Sequence, residues 1–238
     1  MTHRFFVEED PGERVVLRGE QARQIATVLR LAPDDQIAVV RHGVESLVVL
    51  ENVAPTEVRG RCISRRTVDE EPRFRMTLAL PILRGDRTEE VIEAVTQLGV
   101  VRIVPFVSSR SVVRSLADGK RDRWQRVARE SAETARRGRI PAIEEPREWD
   151  ALFDALDAPV LVPWESEALL SLSDAVPQTR QLSLVIGPEG GLTLDEIELA
   201  RAHEAITVSL GPRNLRSETA AIAAVAQAVA VLEGRKAG

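Results

Sequence analysis

Leu182-Ser183-Leu184-Val185-Ile186-Gly187-Pro188-Glu189-Gly190-Gly191 is the stretch on which the fold turns. Residues 182–186 are mostly apolar and read as a buried strand. A glycine-rich turn follows without a spacer. Thr193 then opens a helix, and Glu196 three residues on completes a capping box. Strand, turn and helix in this order are the repeating unit of an open α/β sheet, where ligands bind just beyond the carboxyl ends of the strands. Three glycines let the backbone approach a ligand closely. Glu189 bears on the ligand's charge, because a carboxylate in the cradle repels phosphate, and no lysine follows as in a phosphate-binding loop. The loop suits a ligand with hydroxyls, an amine or a sulfonium. A plain tight turn is the alternative reading.

A second run, Leu210-Gly211-Pro212-Arg213-Asn214-Leu215-Arg216-Ser217-Glu218-Thr219-Ala220, also follows a strand and opens a helix. Ser217 is the expected N-cap, with Glu218 and Thr219 favouring the first turn. Arg213 and Arg216 stand before the helix N-terminus, where the dipole disfavours cations. Arginines placed against the dipole answer to something else, such as a substrate.

Outward from these loops the chain divides. Residues 4–7, 15–17, 36–40, 46–51 and 57–64 read as short strands, and 20–31 as a helix with Ala22, Ile25, Ala26 and Leu29 on one face. Short strands at close intervals predict a small barrel. The acidic stretch Thr67-Val68-Asp69-Glu70-Glu71-Pro72 reads as a linker. Beyond it, strands at 76–80, 100–106, 160–163, 182–186 and 206–210 alternate with helices at 87–98, 118–137, 194–204 and 218–233. That alternation predicts a mostly parallel sheet covered on both faces. The helix after residue 118 carries a stripe of Trp124, Val127, Ala128, Ser131, Ala132 and Ala135 for burial. Its arginines are either a solvated face or a phosphate-contacting one.

Composition limits the function classes. The chain has 238 residues, 44% hydrophobic and 29% charged, which predicts a globular protein. One cysteine, Cys62, excludes an intrachain disulfide and a multi-cysteine metal site, and three separated histidines give no metal motif. The reading is therefore no metal. No signal-like segment opens the chain, and the Ala-rich run 220–232 is too short to span a bilayer. These features predict a cytoplasmic protein with no membrane partner. Net charge is −5, yet residues 110–139 hold ten basic and four acidic side chains, against three and thirteen in 140–203. Only two of the 32 basic residues are lysine. Arginine suits bidentate contact with phosphate and guanine, although composition bias gives the same ratio.

At the two loops the chain resembles the RsmE family of SPOUT methyltransferases, which methylate ring nitrogen three of one uridine in small-subunit (16S) ribosomal RNA. Ala79-Leu80-Pro81, Gly85-Asp86-Arg87, Leu98-Gly99-Val100, Ser109-Arg110-Ser111-Val112-Val113, Arg123-Trp124-Gln125 and Arg139-Ile140-Pro141 extend the resemblance. So do Arg4-Phe5-Phe6-Val7 and Val28-Leu29-Arg30. The chain departs from the family pattern at Arg23, Gln24, Ala94, Gln97, Thr134 and Ala135, on the RNA side and away from the cofactor loops.

The resemblance implies an α/β SPOUT domain with a C-terminal trefoil knot over residues 74–238, preceded by a PUA-like RNA-binding β-barrel over 1–70. It implies S-adenosylmethionine as cofactor, a homodimer, and 16S ribosomal RNA or the small ribosomal subunit as partner. The cofactor residues implied are Ile186, Gly187, Pro188, Glu189, Gly190 and Gly191 of the first loop. From the second come Ser209, Leu210, Gly211 and Leu215, then Ser217, Thr219 and Ala220. Leu80 joins them, and Trp164 and Glu165 close the pocket. Arg216 and then Arg213 are expected to stabilise the uracil anion. Glu218 either takes the proton or only starts the helix. Arg4, Arg23, Arg30, Arg110, Arg136 and Arg137 are expected to meet RNA. The rival readings are a SPOUT enzyme acting on another RNA, and a non-catalytic RNA-binding ribosome assembly factor.

Overall fold

In β2 (Arg14–Arg18), Val15 and Leu17 turn inward while Arg14, Val16 and Arg18 face out, the period of two that a half-buried strand requires. The structure, a computed structural model, describes residues 2–234. It divides into two units, one comprising the chain up to Glu71 with Ala132–Arg139, the other Pro72–Ser131 with the chain from Ile140 on. Residues 235–238 of the expected second domain lie outside the described residues.

The first unit holds β1 (His3–Phe6), β2, β3 (Gln36–Arg41), β4 (Val44–Val53) and β5 (Glu57–Thr67) in the order β1-β3-β4-β5-β2. β1 runs parallel to β3, and the other pairs are antiparallel. Phe5, Leu17, Ile37, Val39, Leu50 and Val58 form its core with Ala22 and Ile25. Two register shifts between β4 and β5 bend the strands. Gly60 lies in this region. A Cβ there would stand 2.5 Å from Val48 Cγ1 and 2.6 Å from the Val49 carbonyl oxygen, so no side chain fits.

The helix expected over 20–31 is shorter. α1 (Gly19–Arg23) passes into a wider turn at Gln24–Val28, where Leu29 N–H bonds the carbonyl five residues back. Arg30 then takes a left-handed φ of 54° and ends it.

A buried ion pair ties segment 132–139 to its own unit. Arg137, 2% exposed, donates to both carboxylate oxygens of Glu71 at 3.0 and 2.9 Å. Gly138 N–H donates to the same carboxylate at 2.7 Å. Burial pushes the Glu71 carboxyl up, but the Arg137 hydrogen bonds and charge, the Gly138 bond and the Arg139 charge outweigh it and hold it below the ordinary value of 4.5. A carboxylate with a depressed folded pKa stabilises the fold above its unfolded pKa, and that contribution is lost as pH falls through the folded pKa. Glu71→Gln is therefore expected to cost about 3 kcal/mol at pH 7, because it removes the carboxylate that Arg137 and Gly138 both bond in a buried setting. Thermal unfolding from pH 7 down to pH 3 should show the gap from wild type closing below about pH 4.5. A gap constant with pH would contradict this.

In the second unit β6 (Arg75–Pro81), β7 (Arg102–Val107), β8 (Ala142–Ile143), β10 (Val160–Pro163), β11 (Gln181–Val185) and β12 (Ile206–Val208) form a parallel sheet in the order β12-β10-β11-β6-β7-β8. β9 (Arg147–Glu148) also pairs with β7. Met76, Leu78, Leu80, Leu182 and Leu184 face one core. There they meet α2 (Arg87–Gln97), α3 (Lys120–Thr134) and α7 (Ser217–Gly234) through Val91, Trp124 and Ala224. The alternate residues Ala79, Val104, Phe106, Val162 and Val185 face the other. α4 (Trp149–Leu152) and α6 (Leu194–Ala202) cover that side through Trp149, Ile197 and Ala200. α5 (Leu172–Ala175) packs Leu172 on the first core. The α/β class and the parallel sheet agree with the sequence reading.

Helix 118–137 was expected longer. α3 ends at Thr134, where Arg136 adopts φ 57° and Arg137 N–H bonds the Ala132 carbonyl, closing the end as a Schellman turn. Among the described residues, no helix is long and apolar enough to cross a membrane.

Candidate functional site

All strands of the second sheet run one way, so the segments after β6, β10, β11 and β12 leave from the same edge. Their register is fixed by bonds at the strand ends. Ile186 N–H meets the Ala79 carbonyl at 3.1 Å, and Trp164 N–H meets the Val208 carbonyl at 3.0 Å. Chain order reverses between β6, whose connection leads to β7, and β11 on its other side. Such a switch point opens a crevice between the outgoing loops.

The glycine loop stands on α6. Thr193 and Glu196 make the expected capping box. Glu196 also accepts the Ser109 N–H at 2.8 Å, which draws the segment after β7 against the loop. Burial raises the Glu196 carboxyl, and bonds from Thr193 and Ser109 overcome that to leave it lowered. The Pro188 carbonyl accepts Gly191 N–H at 2.9 Å, and Gly191 has φ 71°, a left-handed value that favours glycine.

The sequence reading assigned the glycines to ligand approach. The structure gives them protein neighbours. A Cβ on Gly190 would lie 2.9 Å from Arg110 Cβ and 3.1 Å from its carbonyl oxygen. Arg110 Nη1 in turn donates to the Gly190 carbonyl at 3.2 Å. A Cβ on Gly191 would lie 2.8 Å from Glu165 Oε1. Glu165 is thus beside the loop. The Trp164 ring packs on the second core with the Arg201 guanidinium 5.6 Å from its centroid. Leu80 and Ile186 are buried in the first core, and Pro188 is buried in the loop.

The segment after β12 ends its strand at Val208, not at 210. Ser209 instead bridges Ser171, and its hydroxyl accepts Gly211 N–H at 3.1 Å. α7 begins one residue earlier than expected. Ala220 N–H bonds the Arg216 carbonyl at 2.7 Å, which makes Arg216 the cap and Ser217 the first helical residue. Ser217 is buried, while Thr219 is exposed and Leu215 and Ala220 are half-buried. Arg213 and Arg216 are both exposed, and among the described residues neither makes an ion pair or hydrogen bond. Glu218 is mostly buried, with Oε2 lacking any hydrogen bond.

One group at this edge was quoted in the sequence without a role. Arg87 Nη1 lies 3.9 Å from Glu189 Oε1, and its Nε lies 3.8 Å from Glu218 Oε1. Arg84 N–H donates to Glu189 at 3.2 Å. The signal was the run Gly85-Asp86-Arg87, a cation at a helix start.

The expected RNA residues separate by burial. Arg4 and Arg137 are spent inside the first unit. Arg4 pairs with Glu45 and donates to the Arg137 carbonyl at 3.0 Å, and its side chain is 4% exposed. Neither is accessible to a phosphate, which corrects their assignment to RNA. Arg23, Arg30, Arg110 and Arg136 are exposed. Among the described residues no group of histidine, cysteine, aspartate and glutamate side chains is arranged to hold a metal ion.

Comparison with known proteins places this geometry. The model of the RNA methyltransferase domain family matches residues 69–229. Ribosomal RNA small subunit methyltransferase E of Bacillus subtilis is 31% identical over 96% of this chain and 94% of its own length. The protein of that name from Mycobacterium bovis is 33% identical over 97% and 92%. A Neisseria gonorrhoeae ribosomal RNA small subunit methyltransferase E bound to S-adenosyl methionine superposes with a TM-score of 0.87 at 26% identity, covering 95% of this chain and 96% of that one. A Legionella pneumophila protein in complex with the bound cofactor SAM gives 0.87 at 29% identity over 98% of each chain. The chain belongs to the ribosomal RNA small subunit methyltransferase E family.

Proposed function

We propose that this protein methylates N3 of one uridine in small-subunit (16S) ribosomal RNA, using S-adenosylmethionine. The observation that carries the reading is the pair of arginines, Arg213 and Arg216, exposed at the start of α7 and without an ion pair among the described residues, on the edge that also carries Glu165, Glu189 and Glu218. The residues fit the cofactor. Glu165 and Glu189 suit a ligand with a sulfonium and an amine. Among the described residues, the backbones of Leu210, Asn214 and Leu215 make no hydrogen bond within the protein and are free to bond an adenosyl or methionyl group. Residues 187–191 and 209–220 would hold it, with Glu165 closing over the first loop. When bound, the cofactor supplies an electrophilic methyl group.

The chain's own residues act on the base. N3 of uracil becomes nucleophilic by losing its proton, and the negative charge spreads onto the flanking carbonyl oxygens. Arg216, with no partner among the described residues to compete, stabilises that charge, assisted by Arg213. Glu218, beside Arg216 at the start of the same helix, accepts the proton. Transfer is an in-line displacement, so fixed orientation supplies much of the rate.

The first unit, a bent five-stranded sheet with exposed Arg23, Arg30 and Arg136, serves as the PUA-like barrel domain that grips RNA, with Arg110 in the second unit. The reversed strand order around β10 and β11 and the strand-end loops support a knotted SPOUT domain. In this reading the protein acts in the cytoplasm as a homodimer. The test is transfer of label from S-adenosylmethionine to naked small-subunit ribosomal RNA, assembled small subunits and transfer RNA. Label in ribosomal RNA alone is expected. Label in transfer RNA would support another RNA as substrate, and no cofactor binding by a folded protein would support an assembly factor.

A further inference from the structure

Arg87 is the first residue of α2, where a cation opposes the helix dipole. Its Cα is placed by the turn after β6, and its guanidinium spans two other segments. At 3.9 Å from Glu189 and 3.8 Å from Glu218 it is hydrogen-bonded to neither and is held between two carboxylates by charge. The two carboxylates are not equally provided for. Glu189 also receives the Arg84 N–H. Glu218 receives no hydrogen bond on Oε2, and Arg87 is its one cation within 4.0 Å among the described residues. A mostly buried carboxylate so sparsely bonded depends on that neighbour to stay in place.

We infer that Arg87 is a positioning residue for methyl transfer: with Glu218 Oε2 buried, its guanidinium holds the carboxylate at Oε1, the oxygen left to meet the N–H of the substrate base. This rests on the proton-accepting role given to Glu218 above. Glu189 shares the same guanidinium, so the loops after β6, β11 and β12 are coupled through one side chain. Arg87 need not touch substrate. Its effect passes through Glu218 and should vanish when Glu218 cannot act.

The test uses the full chain as wild type, Arg87→Met, Arg87→Lys, Glu218→Gln and Arg87→Met/Glu218→Gln. Turnover, KM for RNA, cofactor affinity by calorimetry and Tm are measured for each. Arg87→Met is expected to lower kcat about tenfold with cofactor Kd changed less than about threefold. Arg87→Lys should recover part of that loss, because it restores the charge. The double variant should turn over no more slowly than Glu218→Gln alone. Losses that multiply, a loss confined to cofactor Kd, or an unchanged kcat in Arg87→Met would overturn the inference. Should Arg87→Met not fold, Arg87→Lys carries the same cycle against Glu218→Gln with the same criteria. A wild-type chain that transfers no methyl group overturns the reading of the site and the inference with it. An active wild type with multiplying losses overturns the inference alone.

Discussion

Replacing Arg216 by alanine is expected to lower kcat for RNA methylation about a hundred- to a thousandfold, the usual cost of losing one group that stabilises developing charge. The size follows from position. Arg216 is exposed at the start of α7 and has no partner among the described residues, so its charge is free for the substrate. The same freedom predicts that the fold is indifferent to its loss, with stability within about 0.5 kcal/mol of wild type. Removing a cation from a helix start even relieves the dipole slightly. Cofactor affinity by calorimetry should therefore persist while turnover collapses. An Arg216→Ala protein that methylates at the wild-type rate would remove Arg216 from the chemistry.

The second large effect is expected at Gly190. Valine there meets Arg110 Cβ at 2.9 Å and the Arg110 carbonyl at 3.1 Å, and the second of these is backbone that cannot swing away. Either the loop after β11 or the segment after β7 must move. The Glu196–Ser109 bond holds that segment against the same helix start, so the displacement falls on the loop. A shift of about 1 Å in a positioning loop costs on the order of a hundredfold, which is the expected rise in Kd for S-adenosylmethionine. Gly190→Ala makes the same first contact with fewer atoms and should cost less. Calorimetry on both, alongside Tm, checks this. Wild-type affinity in Gly190→Val would mean that the loop does not hold the cofactor.

Some of this was legible along the chain. Strand 160–163 matches β10 residue for residue, and the Thr193–Glu196 capping box is a local pattern that needs no tertiary knowledge. Helix 87–98 matches α2 to within its cap. β8, β9, α4 and α5 were missed because elements of two to four residues are too short to show a period. The end of α3 was missed because its stop is Arg136 in a left-handed conformation, which arginine rarely signals.

The site was legible in its two loops and not in its assembly. Strand order is set by pairing between distant residues, so nothing local says that Glu189 and Glu218 share Arg87. Burial misled in the other direction. Arg4 and Arg137 look like surface cations in sequence, yet Glu45 and Glu71 draw them inside. The glycines illustrate the same limit. Their freedom could be read, but the neighbours that require it, Arg110 and Glu165, come from other strands.

The most direct test of the central claim is the chemical identity of the product. Small-subunit ribosomal RNA methylated with labelled S-adenosylmethionine is digested to nucleosides and resolved by chromatography and mass spectrometry. The account predicts label in 3-methyluridine at one position, lost in the Arg216→Ala protein. Label in a ribose-methylated nucleoside, or in a base other than uracil, would contradict it.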